Sequence, residues 1–172
     1  MTMKTISPTS RKRLEMQGFV GMSDADLAEI RPWLRVSPVI TVTWMAAGLF
    51  LGSAKVIWAM IPFSILGALL PGHPFDVFYN FGIRFLLGKR ALPRYHLARR
   101  SCCMMASMWA GVVGGAFHSG ATALGYALGV IFIGAALLPV TTDFCIPAYL
   151  YGLIFGKPVA CRTVESNLIK LD

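Results

Sequence analysis

The stretch His73–Arg90, HPFDVFYNFGIRFLLGKR, separates two long apolar regions and runs directly into a basic loop. That loop, KRALPRYHLARR over Lys89–Arg100, holds six basic residues counting His96. A second stretch, Asp143–Lys157, DFCIPAYLYGLIFGK, follows another apolar region and also ends in Gly-Lys. An aromatic segment that recurs after each apolar region points to a weak internal repeat. Each unit is a helical hairpin followed by an amphipathic helix at an interface.

The composition excludes an ordinary soluble domain. Of 172 residues, 56% are hydrophobic and 14% charged, against about 25% charged in typical soluble chains. Mean hydropathy is +0.63. Between Val36 and Val164 the only acidic residues are Asp76 and Asp143. The net charge of +8 fits the Lys and Arg excess that membrane proteins keep on the cytoplasmic side. No basic stripe on a soluble fold accompanies it, so nucleic acid is not an expected partner.

From Val36 to Leu70 the chain is apolar, broken only by Gly52-Ser53-Ala54-Lys55. As one helix it would run about 52 Å, against about 30 Å of bilayer hydrocarbon. It therefore divides into spans at 36–51 and 54–70, with Pro62 expected to kink the second. The region after the basic loop divides likewise at His118-Ser119-Gly120 into spans 101–117 and 122–140. The expected fold is an all-α membrane protein, with four transmembrane helices in two hairpins and interfacial segments at 73–89 and 143–157.

Residues 1–35 are expected to form a basic arm with one short surface helix. Ser23 would cap that helix and Pro32 would end it. Ser37-Pro38 suits the start of the next. The run Arg11–Arg13 has no apolar core behind it, so the arm does not match a secretory signal peptide. Residues 158–172 form a tail. Arm, loop and tail are all basic, which places both termini in the cytoplasm.

Small residues recur at a spacing of four in the second hairpin: Ser107, Gly111 and Gly115, then Ala121, Gly125 and Gly129. Such stripes let helix backbones approach. The chemistry-bearing candidates lie at the cytoplasmic ends. Asp76, Asn80 and Arg84, at i, i+4 and i+8, make one polar line on a helix, with His73 a turn earlier. Asp143 holds the corresponding place in the second half. The line serves as a binding site, a docking face or a proton path, or as plain ion pairs to the loop.

Three cysteines, Cys102, Cys103 and Cys145, fall on the same side, with Cys161 in the tail. No disulfide framework is read from their spacing, and thiols are expected in a reducing compartment. No metal set is indicated. His73 and His118 lie at opposite membrane faces and cannot share a haem within one chain. The spacing identifies no cofactor.

Three segments, HPFDVFYNFGIR (His73–Arg84), LPRYHLARR (Leu92–Arg100) and TTDFCIPAYLYGLIFG (Thr141–Gly156), resemble a bacterial membrane family known as the domain of unknown function DUF4395. The resemblance implies a membrane fold in the bacterial inner membrane and carries no assigned activity. Many members of that family carry a Phe-Cys-x-x-Cys element in the last segment. Here Phe144 and Cys145 match, and Ala148 stands at the second cysteine position.

Three functions follow as expectations. The first is a non-enzymatic accessory or scaffold subunit of a larger membrane assembly. It would be held in the lipid bilayer with other membrane subunits or further copies of itself. The second is a thiol-linked redox or sulfur-handling protein using Cys145, with Cys102 or Cys103. The third is a small transporter or channel, with Asp76, Arg84 and Asp143 near its path.

Overall fold

A computed structural model describes residues 6–88 and 91–156. Lys89, Arg90 and the basic tail with Cys161 lie outside them. Among the described residues every regular element is helical.

The N-terminal arm folds into two helices. In α1, Pro8–Met16, Ser7 accepts the Ser10 amide at 3.2 Å and Pro8 occupies the first turn, where its missing amide costs nothing. In α2, Asp24–Leu34, Ser23 accepts the Asp26 amide at 3.2 Å. Asp24 and Asp26 then face the positive end of the helix. Pro32 does not end α2. The helix passes through it to Leu34, and α3, Val36–Phe50, resumes almost at once. Backbone bonds from Arg35 to Pro32 (3.2 Å) and from Val39 to Arg35 (3.1 Å) bridge the junction. Burial of Leu27, Ile30 and Leu34 holds this register against the lost proline bond. Ser37, expected as a cap, therefore lies inside a helix.

The arm is docked. Leu14, Phe19, Leu27, Ile30 and Leu34 form an apolar cluster with Tyr79, Leu92 and Tyr95. Trp33 lies against Tyr79, ring centroids 4.4 Å apart.

The first apolar region continues as α4, Ala54–Trp58, and α5, Ile61–Leu69. The break at Ala59–Met60 stands just before Pro62, which has no amide to carry the helix across. After the loop come α8, Leu97–His118, and α9, Thr122–Thr142. A short helix, α10, Ile146–Phe155, closes the described chain. Between the two halves lies one helical segment with a π turn inside it: α6, Pro74–Phe78, the turn Tyr79–Ile83, and α7, Arg84–Leu87.

Among the described residues, two helices are long and apolar enough to cross a membrane: the continuous Asp24–Phe50 and Thr122–Thr142. Ala54–Leu69 and Pro74–Leu86 together make a third, bent by 74°. The sequence reading gives four crossings; the folded helices give two, or three with the bent pair. The difference has a local cause. Helix α8 spans 22 residues but opens with Arg99 and Arg100 and is rich in Ser and Gly. The α4–α5 pair is interrupted at its break.

The bundle core holds Met45, Ile57, Val113, Phe117 and Phe132. Gly129 seats Leu49 of α3, and Gly125 seats the Phe117 ring; a Cβ would stand 2.4 Å and 2.8 Å from them. On α8 the close approach is at Gly114, against the Trp58 indole. At Gly111 and Gly115 there is open space, while Ser107 is buried. The α8 contact face therefore runs one position off the expected stripe. The outer surface is apolar: Phe50 is 90% exposed, Leu86 88% and Phe81 78%. Exposed apolar side chains on this scale suit a face turned to lipid or to another subunit.

Candidate functional site

The polar residues of this chain are gathered inside one end of the bundle. His73, Asp76, Arg99, Asp143 and Gln17 are all buried there. Unpaired polar groups at such depth cost free energy, so each partner matters.

Asp143 sits in the left-handed conformation, φ 59° and ψ 15°, just past the end of α9. Its carboxylate is clamped by two guanidinium groups. Arg31 donates from Nε at 2.9 Å and its Nη2 lies 2.7 Å away; Arg35 donates from Nη2 at 2.7 Å and Nε at 3.1 Å. Arg31 and Arg35 are one helical turn apart on α2 and its junction with α3, so both reach the same acid. Burial alone would raise the Asp143 pKa; the bonds from Arg31 and Arg35 outweigh it and hold the carboxyl below its ordinary range. The Asp143 backbone carbonyl accepts from Gln17 Nε2 at 2.7 Å.

Gln17 in turn accepts from Arg99 Nη1 at 2.6 Å, and Arg99 Nη2 donates to the Leu34 carbonyl at 2.6 Å. The Arg99 guanidinium also lies over the Tyr95 ring at 4.6 Å and the Phe19 ring at 5.5 Å. One buried network thus ties the arm to the start of α8 and the end of α9.

The predicted polar line His73, Asp76, Asn80, Arg84 turns inward and divides among separate tasks. Asp76 accepts the His73 backbone amide at 2.9 Å, and His73 Nδ1 accepts the Phe75 amide at 3.4 Å, which together cap α6. Asn80 Oδ1 accepts the Leu92 amide at 2.9 Å and pins the loop. Arg84 lies over the Phe85 ring at 4.5 Å. The π turn shifts the register after Phe78, so Asn80 does not bridge Asp76 to Arg84. Asp143 joins neither Arg84 nor Arg100. The latter donates to the Ala68 carbonyl at 2.7 Å.

The cysteines are where the sequence reading needs correction. Cys102, one turn into α8, and Cys145, at the start of α10, meet sulfur to sulfur as a disulfide pair. Forty-three positions separate them, so no local spacing could have announced the pair. Ala148 is buried beside them with Ala98. Cys103 remains a free thiol, half-buried beside the His73 ring at Gly67. His96 caps α8 by accepting the Ala98 amide at 3.2 Å. No group of three metal-ligating side chains occurs among the described residues.

Beside the pair opens a cavity of about 370 Å³ with an almost wholly apolar wall. Cys102, Cys103 and Cys145 line it, with His73, Tyr95 and Arg99 at one end and Trp109 and Phe132 deeper in. Met105 and Ile131 are in its wall and exposed on the flank of the bundle. The sequence offered no signal for Gln17, Ser37 or Tyr95. Arg31 and Arg35 did carry one, the spacing of four.

An all-helical chain, apolar on its outside and polar within one end, defines a helical protein with a dithiol beside an apolar cavity. The chain belongs to the family described as domain of unknown function DUF4395, whose model matches residues 31–155. No curated protein and no solved structure matches it.

Proposed function

We propose that the protein is a membrane thiol–disulfide redox protein whose working pair is Cys102 and Cys145. The observation that carries this reading is the meeting of the two sulfurs, from distant parts of the chain, in the wall of an apolar cavity. We take the chain to cross the bacterial inner membrane four times, at 36–51, 54–70, 101–117 and 122–140, with both termini in the cytoplasm. In support, Arg11, Arg13, Arg31, Arg35, Arg94, Arg99 and Arg100 stand near the arm-and-loop end, and Lys55 stands at the opposite turn. The pair then lies towards the reducing side, where disulfides are transient and catalytic rather than permanent.

The reaction class is thiol–disulfide exchange. Two thiols lose two protons and two electrons to a partner disulfide, which leaves as two thiols. Cys145 is the N-cap residue of α10, and a helix N-terminus favours the thiolate form. The test is a titration of the purified protein in nanodiscs with mixtures of reduced and oxidised glutathione. The pair should titrate as a single two-electron couple, and Cys102→Ser and Cys145→Ser should each abolish it. A pair that stays fixed across the whole range sinks the reading.

One further observation favours the accessory-subunit role as a second reading. Phe78, Phe81, Phe85 and Leu86 are exposed together on the segment between the halves, a face suited to lipid or to another subunit. Purification in mild detergent should then retain a stoichiometric membrane partner or a second copy. A lone monomer at every detergent level opposes that role. The channel alternative has no comparable support, since Arg31 and Arg35 already occupy Asp143.

A further inference from the structure

The cavity beside the pair is almost wholly apolar, with Ser37, Tyr95 and Arg99 among the polar residues of its wall. Its lining on α8 runs from Arg99 to Trp109, about 15 Å of helix. Its rim at Met105 and Ile131 lies on the apolar flank. Such a site receives molecules from the bilayer rather than from water.

One of its wall residues is the informative one. Ser37 is more than nine-tenths buried and its Oγ makes no hydrogen bond, while Tyr95 is equally buried with its hydroxyl engaged by Asp76 and Arg99. A buried hydroxyl without a partner is costly to keep. Such a hydroxyl in the wall of a cavity, here that of Ser37, points to an occupant that accepts a hydrogen bond. A saturated acyl chain has no acceptor to offer; a ring bearing carbonyl oxygens does. Tyr95 is held in place by Arg99 stacked on its ring, and Arg99 is already committed to Gln17 and Leu34.

We propose that this cavity takes the head of a lipid-soluble quinone, which exchanges electrons with the Cys102–Cys145 pair; this rests on the dithiol reading above. In the oxidising direction two S–H bonds break and one S–S bond forms. The two electrons and two protons pass to the ring, whose two carbonyl groups become two hydroxyls. In the opposite direction a hydroquinone reduces the disulfide. Ser37 donates to a ring oxygen, and Trp109 and Phe132 flank the apolar part.

The test uses the full chain in nanodiscs, reduced and freed of reductant, with a decyl-substituted benzoquinone as the probe. Three readouts run in parallel: disulfide formation by alkylation, quinone reduction by absorbance, and quenching of Trp109, identified by its loss in Trp109→Phe. Quinone should oxidise the pair with one hydroquinone formed per disulfide. Ser37→Ala, which removes the hydroxyl alone, should fold normally and weaken quinone binding up to about tenfold, the worth of one buried hydrogen bond. Ala106 also lies in the cavity wall, and Ala106→Phe should fill the cavity and abolish the quinone response while leaving the glutathione titration intact. If glutathione titrates the pair but quinone neither oxidises it nor quenches Trp109, this inference falls and the dithiol reading stands. Quenching without oxidation also overturns it. A pair inert to both reagents removes both.

Discussion

Replacing Asp143 by Asn isolates the charge of the most heavily clamped residue in the chain. The backbone there is left-handed, a conformation that Asn tolerates nearly as well as Asp, so the change adds little strain. What is lost is a carboxylate whose side chain is 2% exposed, facing Arg31 and Arg35 at 2.7 Å each. Breaking a fully buried pair costs about 3–5 kcal/mol. Both arginine side chains remain about one-third exposed (34% and 30%), and water then recovers part of the loss, leaving about 2–4 kcal/mol. For a chain of this length that is a fall of roughly 5–15 °C in the unfolding midpoint. Thermal unfolding in nanodiscs or mild detergent measures it. The same substitution in an Arg31→Gln, Arg35→Gln background should cost far less, because the partners are already gone. An unchanged midpoint, or an equal loss in both backgrounds, refutes the clamp.

The pH dependence has a definite sign. The folded carboxyl is held below its ordinary value, so its contribution is complete above the unfolded pKa of about 4 and disappears as pH falls through the lower folded value. Unfolding curves should therefore show no effect of this group between pH 5 and 8, and Asp143→Asn should remove a destabilisation seen only in stronger acid. Gly129→Val should drive a side chain into Leu49 and cost about 1–3 kcal/mol, whereas Gly111→Ala should be near neutral; the same thermal assay compares them. Arg99→Lys should lose one of two buried bonds and the stack on Tyr95, about 1–3 kcal/mol, again as a lowered midpoint. Phe19→Ala should open a hole in the arm cluster worth about 3–5 kcal/mol, and limited proteolysis should then cut near residues 18–22 first.

The helical class, the apolar exterior and the hairpin turns at Gly52 and Gly120 were legible because they depend on local composition and on glycines that permit positive φ. The docking of the arm was not. Its apolar residues, Leu14, Phe19, Leu27, Ile30 and Leu34, are scattered among charges and gain meaning only against Tyr79, Leu92 and Tyr95. Proline positions were a partial guide. Pro62 follows a break, but Pro32 is carried inside a helix, because tertiary burial outweighs one missing hydrogen bond. The line His73 to Arg84 was visible as a polar row, and a π turn then redirected it. The pairing of Cys102 with Cys145 depends on how α8 meets the end of α9, which no spacing along the chain encodes.

The most direct measurement is the redox state of each cysteine in intact membranes, by acid quenching, sequential alkylation and mass spectrometry after brief reductant or oxidant pulses. Cys102 and Cys145 should change together, appearing as linked peptides after oxidant and as two alkylated thiols after reductant, while Cys103 stays a thiol throughout. Cysteines 102 and 145 that are alkylated independently, or remain linked under every condition, would contradict a working redox pair.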